Sequence, residues 1–144
     1  MSTLKVTNVA HETSTLNTLV FDNGGGSGNG RVTTKGTIGE ISAVSYASTI
    51  TLDFRTANNF STTLTGNVTF ANPSNISAGQ SGVLFITQGS GGSKLLAYEN
   101  YWEFSGGTLP VLSTTAAAVD MIVWIARSST KISAQFIGDF KVPT

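Results

Sequence analysis

From about residue 46 to residue 140 the chain is a succession of short runs in which apolar and polar residues alternate. Clusters of Gly, Asn and Ser separate the runs. Ile50, Leu52 and Phe54 alternate with Thr51 and Asp53. Val83, Phe85 and Thr87 interleave with Leu84 and Ile86, and Met121, Val123 and Ile125 interleave with Ile122, Trp124 and Ala126. Residues two apart share one face of a strand, so this spacing predicts sheets with a buried side. No comparable stretch repeats at helical spacing. Strands are predicted at 50–55, 60–64, 67–70, 82–88, 94–98, 119–128 and 131–137. Between them, Ala57-Asn58-Asn59 and Gly66-Asn67 supply residues tolerant of positive φ. Turns are expected at Asn72-Pro73-Ser74, at Gly89-Ser90-Gly91-Gly92-Ser93 and at Ser128-Ser129-Thr130. The pattern predicts an all-β fold, an antiparallel β-sandwich or jelly-roll-like domain with an extended N-terminal arm. Nothing in it signals parallel crossovers. The one candidate helical turn, at 114–118, is too short to form a layer.

The segment from Met1 to Phe21 alternates only modestly, with Leu4, Val6 and Val9 and then Leu16, Leu19 and Phe21. It leads into Gly24-Gly25-Gly26-Ser27-Gly28-Asn29-Gly30, a tract with no side chains to pack and a high backbone entropy cost of ordering. This division predicts an arm at 1–23, a glycine-rich linker at 24–40 and a body at 41–144. The arm's apolar residues then need another chain, or another copy, to be buried, because an isolated ribbon of that size is marginal in water. The alternative is that the arm is the first strand pair of the domain and the glycines form a long hairpin loop. A phosphate loop is the poorer explanation of the tract. A Walker loop ends in Gly-Lys followed by Ser or Thr, whereas this tract continues Gly30-Arg31-Val32.

Composition narrows the function. The 144 residues suffice for one domain, which at this size buries about two thirds of its unfolded surface. There are no cysteines, hence no disulfides and no thiolate metal sites. Eight Lys and Arg balance eight Asp and Glu, and charged residues make up 11% of the chain. An ordinary globular protein carries about 25%. Lys5, Arg31, Lys35, Arg55, Lys94, Arg127, Lys131 and Lys141 are spread singly, which argues against a nucleic-acid partner. The start lacks a secretory signal, and no apolar run approaches the roughly 20 residues needed to span a bilayer. The expectation is a soluble protein made in the cytoplasm, with no membrane partner.

Candidate chemistry is sparse. His11 is the sole histidine, and it has no partners at ligand spacing. Asp53, Glu99, Glu103 and Asp120 could form a glycosidase pair only by spatial accident. The expectation is a non-enzyme with no cofactor. Tyr98, Tyr101, Trp102 and Phe104 form an aromatic cluster that could stack on sugar rings or close one end of the core. The Asn-x-Ser/Thr triplets at Asn59, Asn67 and Asn75 read as chance matches in an Asn- and Thr-rich chain.

Around that cluster runs Tyr101-Trp102-Glu103-Phe104-Ser105-Gly106-Gly107-Thr108-Leu109-Pro110, followed by Ala116-Ala117-Ala118-Val119-Asp120. The segment resembles the C-terminal β-domain of tailed-bacteriophage virion proteins, a domain shared by head decoration (cement) and tail-fibre proteins. Asn67-Val68-Thr69-Phe70-Ala71-Asn72-Pro73 and Gly82-Val83-Leu84-Phe85-Ile86-Thr87-Gln88 are similar to the same group. The opening Leu4-Lys5-Val6-Thr7-Asn8-Val9 resembles the N-terminal segments of phage structural proteins. The resemblance implies a virion component assembled in the host cytoplasm, most simply a capsid decoration protein. Its expected partners are itself, as a homotrimer, and the major capsid protein of the phage head. Its expected contact residues are Leu4, Val6, Val9, Leu16, Leu19 and Phe21 of the arm, with Tyr101, Trp102 and Phe104 of the body. A tail-fibre protein with a trimeric knob is the first alternative, and a carbohydrate-binding module is the second.

Overall fold

A computed structural model describes residues 38–143. The arm at 1–23, the glycine tract and the contact candidates Leu4, Val6, Val9, Leu16, Leu19 and Phe21 lie outside the described residues. Within them run nine strands: β1 (Ile41–Ala43), β2 (Thr49–Ile50), β3 (Asn59–Leu64), β4 (Val68–Phe70), β5 (Ser81–Gln88), β6 (Leu96–Tyr98), β7 (Trp102–Phe104), β8 (Val119–Ser128) and β9 (Lys131–Ile137). The sole helical element among the described residues is a 3-10 turn at Ser105–Gly107. The all-β expectation holds at that level.

The strands form a six-stranded sheet in the order β1-β3-β5-β8-β9-β7 and a three-stranded sheet in the order β2-β4-β6. Through β6 the chain therefore alternates between the two sheets, placing each new strand beside the one it laid down two strands earlier. The result is parallel pairing of β1 with β3, β3 with β5, β2 with β4, and β4 with β6. β7 joins β9 in parallel as well. Only β5–β8 and β8–β9 are antiparallel. This corrects the expectation of an antiparallel, jelly-roll-like pattern. Alternation of side chains reports which face is buried and is the same for either strand direction, so the sequence pattern carried no information about it.

Burial follows the period of two. In β3 the inward residues are Phe60, Thr62 and Leu64; in β5 they are Leu84, Ile86 and Gln88. β8 turns Asp120, Ile122, Trp124 and Ala126 inward, and β9 turns Ile132 and Ala134 inward. Register aligns these into cross-strand rows such as Phe60–Leu84–Ile122–Phe136. Ile50, Leu52, Phe54, Val68 and Phe70 complete the same core. The Phe54 ring stacks on Trp124, with centroids 4.1 Å apart and planes 20° apart. Gln88, a buried amide, acts as a surrogate strand. Its Nε2 donates to the Lys94 carbonyl at 3.1 Å, and the Lys94 N–H donates to its Oε1 at 3.0 Å. Both polar ends of the side chain are thereby satisfied inside the protein.

Three local expectations change. The predicted strand at 50–55 shrinks to Thr49–Ile50, although Leu52 and Phe54 stay buried. The Thr56 N–H and hydroxyl both donate to the Asp53 carbonyl, which folds this segment into a turn. β1 and β7 are additional strands, each too short to show a period. Positive φ falls at Asn75, Ser93, Ala117 and Asp139 and at five glycines, not at the Ala57–Asn59 or Gly66-Asn67 positions. At Gly106 and Gly107 φ is 67° and 69°, so the backbone turns sharply after β7. No helix forms at 114–118, where Ala117 has φ 63°.

Candidate interaction surfaces

Strands β5 and β8 are apolar on both faces, so each has a parity that the core leaves unused. Ile122 and Trp124 are 0% and 1% exposed, whereas Val123 and Ile125 between and beyond them are 39% and 48% exposed. On the outer face Val83 pairs with Val123 and Phe85 with Met121. Met121 in turn pairs with Ile137, which is 42% exposed. Val83, Phe85, Met121, Val123, Ile125 and Ile137 thus form a contiguous apolar patch on the outside of the six-stranded sheet. Its rim is uncharged on two sides, with Ser61 and Thr63 from β3 and Ser133 and Gln135 from β9. Scattered apolar residues are ordinary on a protein surface, but contiguous ones mark contact sites.

A groove of about 600 Å³ opens at one end of this patch. Glu103, Ser133, Ile125 and Ser81 line it as a single cross-strand row, and Gln135 and Val123 lie in the adjoining row. Phe104 and Ser105 form its wall. Glu103 is the anionic group of the groove. It pairs with Arg127 and, at 3.2 Å, with Lys131. The hydrogen bond from Lys131, followed by that from Arg127, holds the Glu103 carboxyl below its ordinary range. Both ends of this network are solvated, so it adds little to the stability of the fold.

The aromatic cluster divides. Trp102 is buried, and its Nε1 donates to the Ala71 carbonyl at 3.2 Å. Tyr98 packs between Phe70, Trp102 and Phe104, with its ring 4.7 Å from that of Phe104. The Tyr98 hydroxyl is enclosed without a hydrogen-bond partner, and burial, reinforced by the charge of Asp120, pushes its ionisation far up. Tyr101 is half-buried, and its N–H donates to Asn72 Oδ1. The ring stack is therefore core, and of the three body residues expected to make contacts Phe104 is the one that reaches the groove. The alternation alone does not separate the outer-face residues from the core, because both parities of these strands are apolar. The double-parity runs at 83–87 and 121–125 were the available signal.

Asp53, Glu99, Glu103 and Asp120 are each held by different partners. Asp53 accepts from Asn75 Nδ2 at 2.7 Å and from the Arg55 N–H at 3.0 Å, which hold its carboxyl below the ordinary range. Glu99 accepts from the Asn72 N–H. Asp120 is fully buried in β8, where it fastens two loops. Among the described residues no group of three His, Asp or Glu is arranged to hold a metal ion. Nor is any described helix long and apolar enough to cross a membrane.

Comparison of the chain with protein-family models, with curated proteins and with solved structures finds no significant match to any of them.

Proposed function

We propose that this chain is a structural component of a bacteriophage particle, a decoration protein that binds the assembled head shell and stabilises it through its arm and its β-rich body. In this reading the two sheets are the layers of a sandwich-like body, and the protein works as a homotrimer against the major capsid protein. The observation that carries the reading is the contiguous patch of Val83, Phe85, Met121, Val123, Ile125 and Ile137 on the outer face of the six-stranded sheet, in a chain of low charge. A surface of this kind gains from association by burying apolar area and has little charge to desolvate. The sequence resemblance to virion β-domains points the same way.

The reading is tested by incubating the full chain with purified phage heads and sedimenting the particles. Native chain co-sediments at a fixed ratio to the shell subunit, and the full chain carrying Val123→Asp and Ile125→Asp stays in the supernatant while keeping its circular-dichroism spectrum. Failure of native chain to bind heads, or undiminished binding by the double variant, overturns it. Image reconstruction of decorated heads then distinguishes a capsid position from a tail-tip one.

A further inference from the structure

The outer face of the six-stranded sheet changes character along its strands. By register its rows run Phe85–Met121–Ile137, then Val83–Val123–Gln135, then Ser81–Ile125–Ser133–Glu103. One step further on the same parity stand Arg127, two residues past Ile125, and Lys131, two residues before Ser133. Both reach Glu103, Lys131 at 3.2 Å. No charged residue other than these two cations stands on the outer parity of β5, β8 or β9. The face thus passes from apolar side chains to a cluster of two cations and one carboxylate.

That cluster holds one positive charge more than Glu103 can neutralise. The side chains of Arg127 and Lys131 are 55% and 45% exposed. The Arg127 guanidinium gives Glu103 a single hydrogen bond and keeps donors for a further acceptor. An apolar partner without an acid would strip water from the surplus charge and return nothing for it. A partner bearing a cation would be repelled. An acidic residue at the end of an apolar run meets both halves of the surface. The rows also speak to form, because alternate residues of an extended segment recur at the same step as alternate residues of the sheet. Ser81, Ser133 and Gln135, set among Val123 and Ile125 in the groove, offer hydroxyl and amide groups that a peptide backbone can use and a hydrocarbon tail cannot.

The chain itself is a poor source of that acid. Asp53, Glu99, Asp120 and Asp139 are engaged within the body by Asn75, Asn72, Ser113 and Lys141. Residues 1–37 carry Lys5, Arg31 and Lys35 against Glu12 and Asp22, a surplus of base rather than acid.

We infer that the outer face of β5, β8 and β9 takes an extended polypeptide segment of another protein, apolar along its length and ending in an Asp or Glu that pairs with Arg127 and Lys131. The inference deepens the proposed function and rests on its reading of this face as the contact site. It names the chemistry of the shell element that lies there.

The test presents the full chain with short synthetic peptides of alternating Val and Thr that end in Asp, in Asn or in Lys. Amide shifts in nuclear magnetic resonance spectra locate the contact. The Asp peptide should perturb Val123, Ile125 and Ser133 and bind about threefold tighter than the Asn peptide, with the Lys peptide weakest. Arg127→Gln with Lys131→Gln leaves Glu103 unpaired, so a full chain carrying both should invert the order. This variant should keep the native circular-dichroism spectrum, because the ion network adds little stability. Lys131→Gln alone, which should erase the preference, serves if it does not. Equal binding of the three peptides, binding of none, or shifts that bypass Val123 and Ile125 overturns the inference. So does capture by phosphatidylserine vesicles in place of the Asp peptide, or self-association of native chain that occludes the same amides. On phage heads the double variant should bind about threefold more weakly than native chain. Heads that bind both alike overturn the inference and leave the virion reading standing. Heads that ignore native chain sink the virion reading, and the peptide results then decide the inference.

Discussion

Ser113 donates both its backbone N–H and its hydroxyl to the buried carboxylate of Asp120, at 2.8 and 2.7 Å. The Asp139 N–H reaches the same carboxylate at 2.9 Å from the other side. One side chain at the start of β8 thus fastens the loop that follows the 3-10 turn and the segment that follows β9.

Replacing Asp120 with Ala leaves these donors without an acceptor inside the protein. Bonds to a charged acceptor are worth about 1.5–3 kcal/mol each at most, and they are not additive. The expected loss is about 3 kcal/mol in urea unfolding, with faster hydrogen exchange at Ser113 and Asp139. A change below about 0.5 kcal/mol, the range of ordinary surface substitutions, would contradict this role.

Phe54 lies outside regular strand yet is 2% exposed and stacks on Trp124. Truncation to Ala should cost about 3–5 kcal/mol. It should also shift the emission of the tryptophans, because one face of the Trp124 ring loses its cover. Unfolding curves followed by fluorescence measure both effects, and a stability equal to that of native chain rejects the packing argument.

Stability should fall in acid. The folded state holds the carboxyls of Asp53 and Glu103 below their ordinary ranges. Groups depressed in the folded state stabilise it above their unfolded pKa, about 3.9 for Asp and 4.3 for Glu, and lose that contribution as pH drops through the folded values. Stability should therefore be level from about pH 7 to 5 and decline below about pH 4. Asp53→Asn should flatten part of that decline. An unchanged slope in this variant would place the acid sensitivity elsewhere.

Association through the outer face should depend little on salt, because the patch itself is uncharged and Glu103, in the groove at its end, is already paired with Arg127 and Lys131. Raising salt from about 50 to about 500 mM should change head binding by about threefold or less, whereas a contact led by charges would lose far more. Titrating binding at several ionic strengths decides between them.

Gly92 has φ 57°, and a Cβ there would meet the Thr114 carbonyl oxygen at 2.0 Å. Gly92→Ala should cost about 1–3 kcal/mol through combined strain and backbone displacement. Thermal unfolding beside Gly91→Ala, whose added methyl meets open space, separates the two contributions.

Much of the strand content was legible because an inward–outward period survives in the longer elements. The expected runs at 119–128 and 131–137 coincide with β8 and β9. Strand direction was not legible, since Phe60 beside Leu84 looks the same whether the chains run together or oppose. The fate of Phe54 was half legible: its burial followed the alternation, but the turn made by Thr56 on Asp53 depends on hydroxyl and carbonyl positions that no period encodes. The outer patch was hidden for a related reason. When both parities of β5 and β8 are apolar, only tertiary packing decides which one faces in.

The winding also bears on the order in which the fold is made. β8 and β9 meet across a tight turn at Ser129-Thr130, whereas the parallel pairs join residues as distant in the chain as Ile41 and Asn59 or Trp102 and Ile132. Closing such loops is slow until something exists to close them against, so the C-terminal hairpin is the natural nucleus on which the more distant strands are laid.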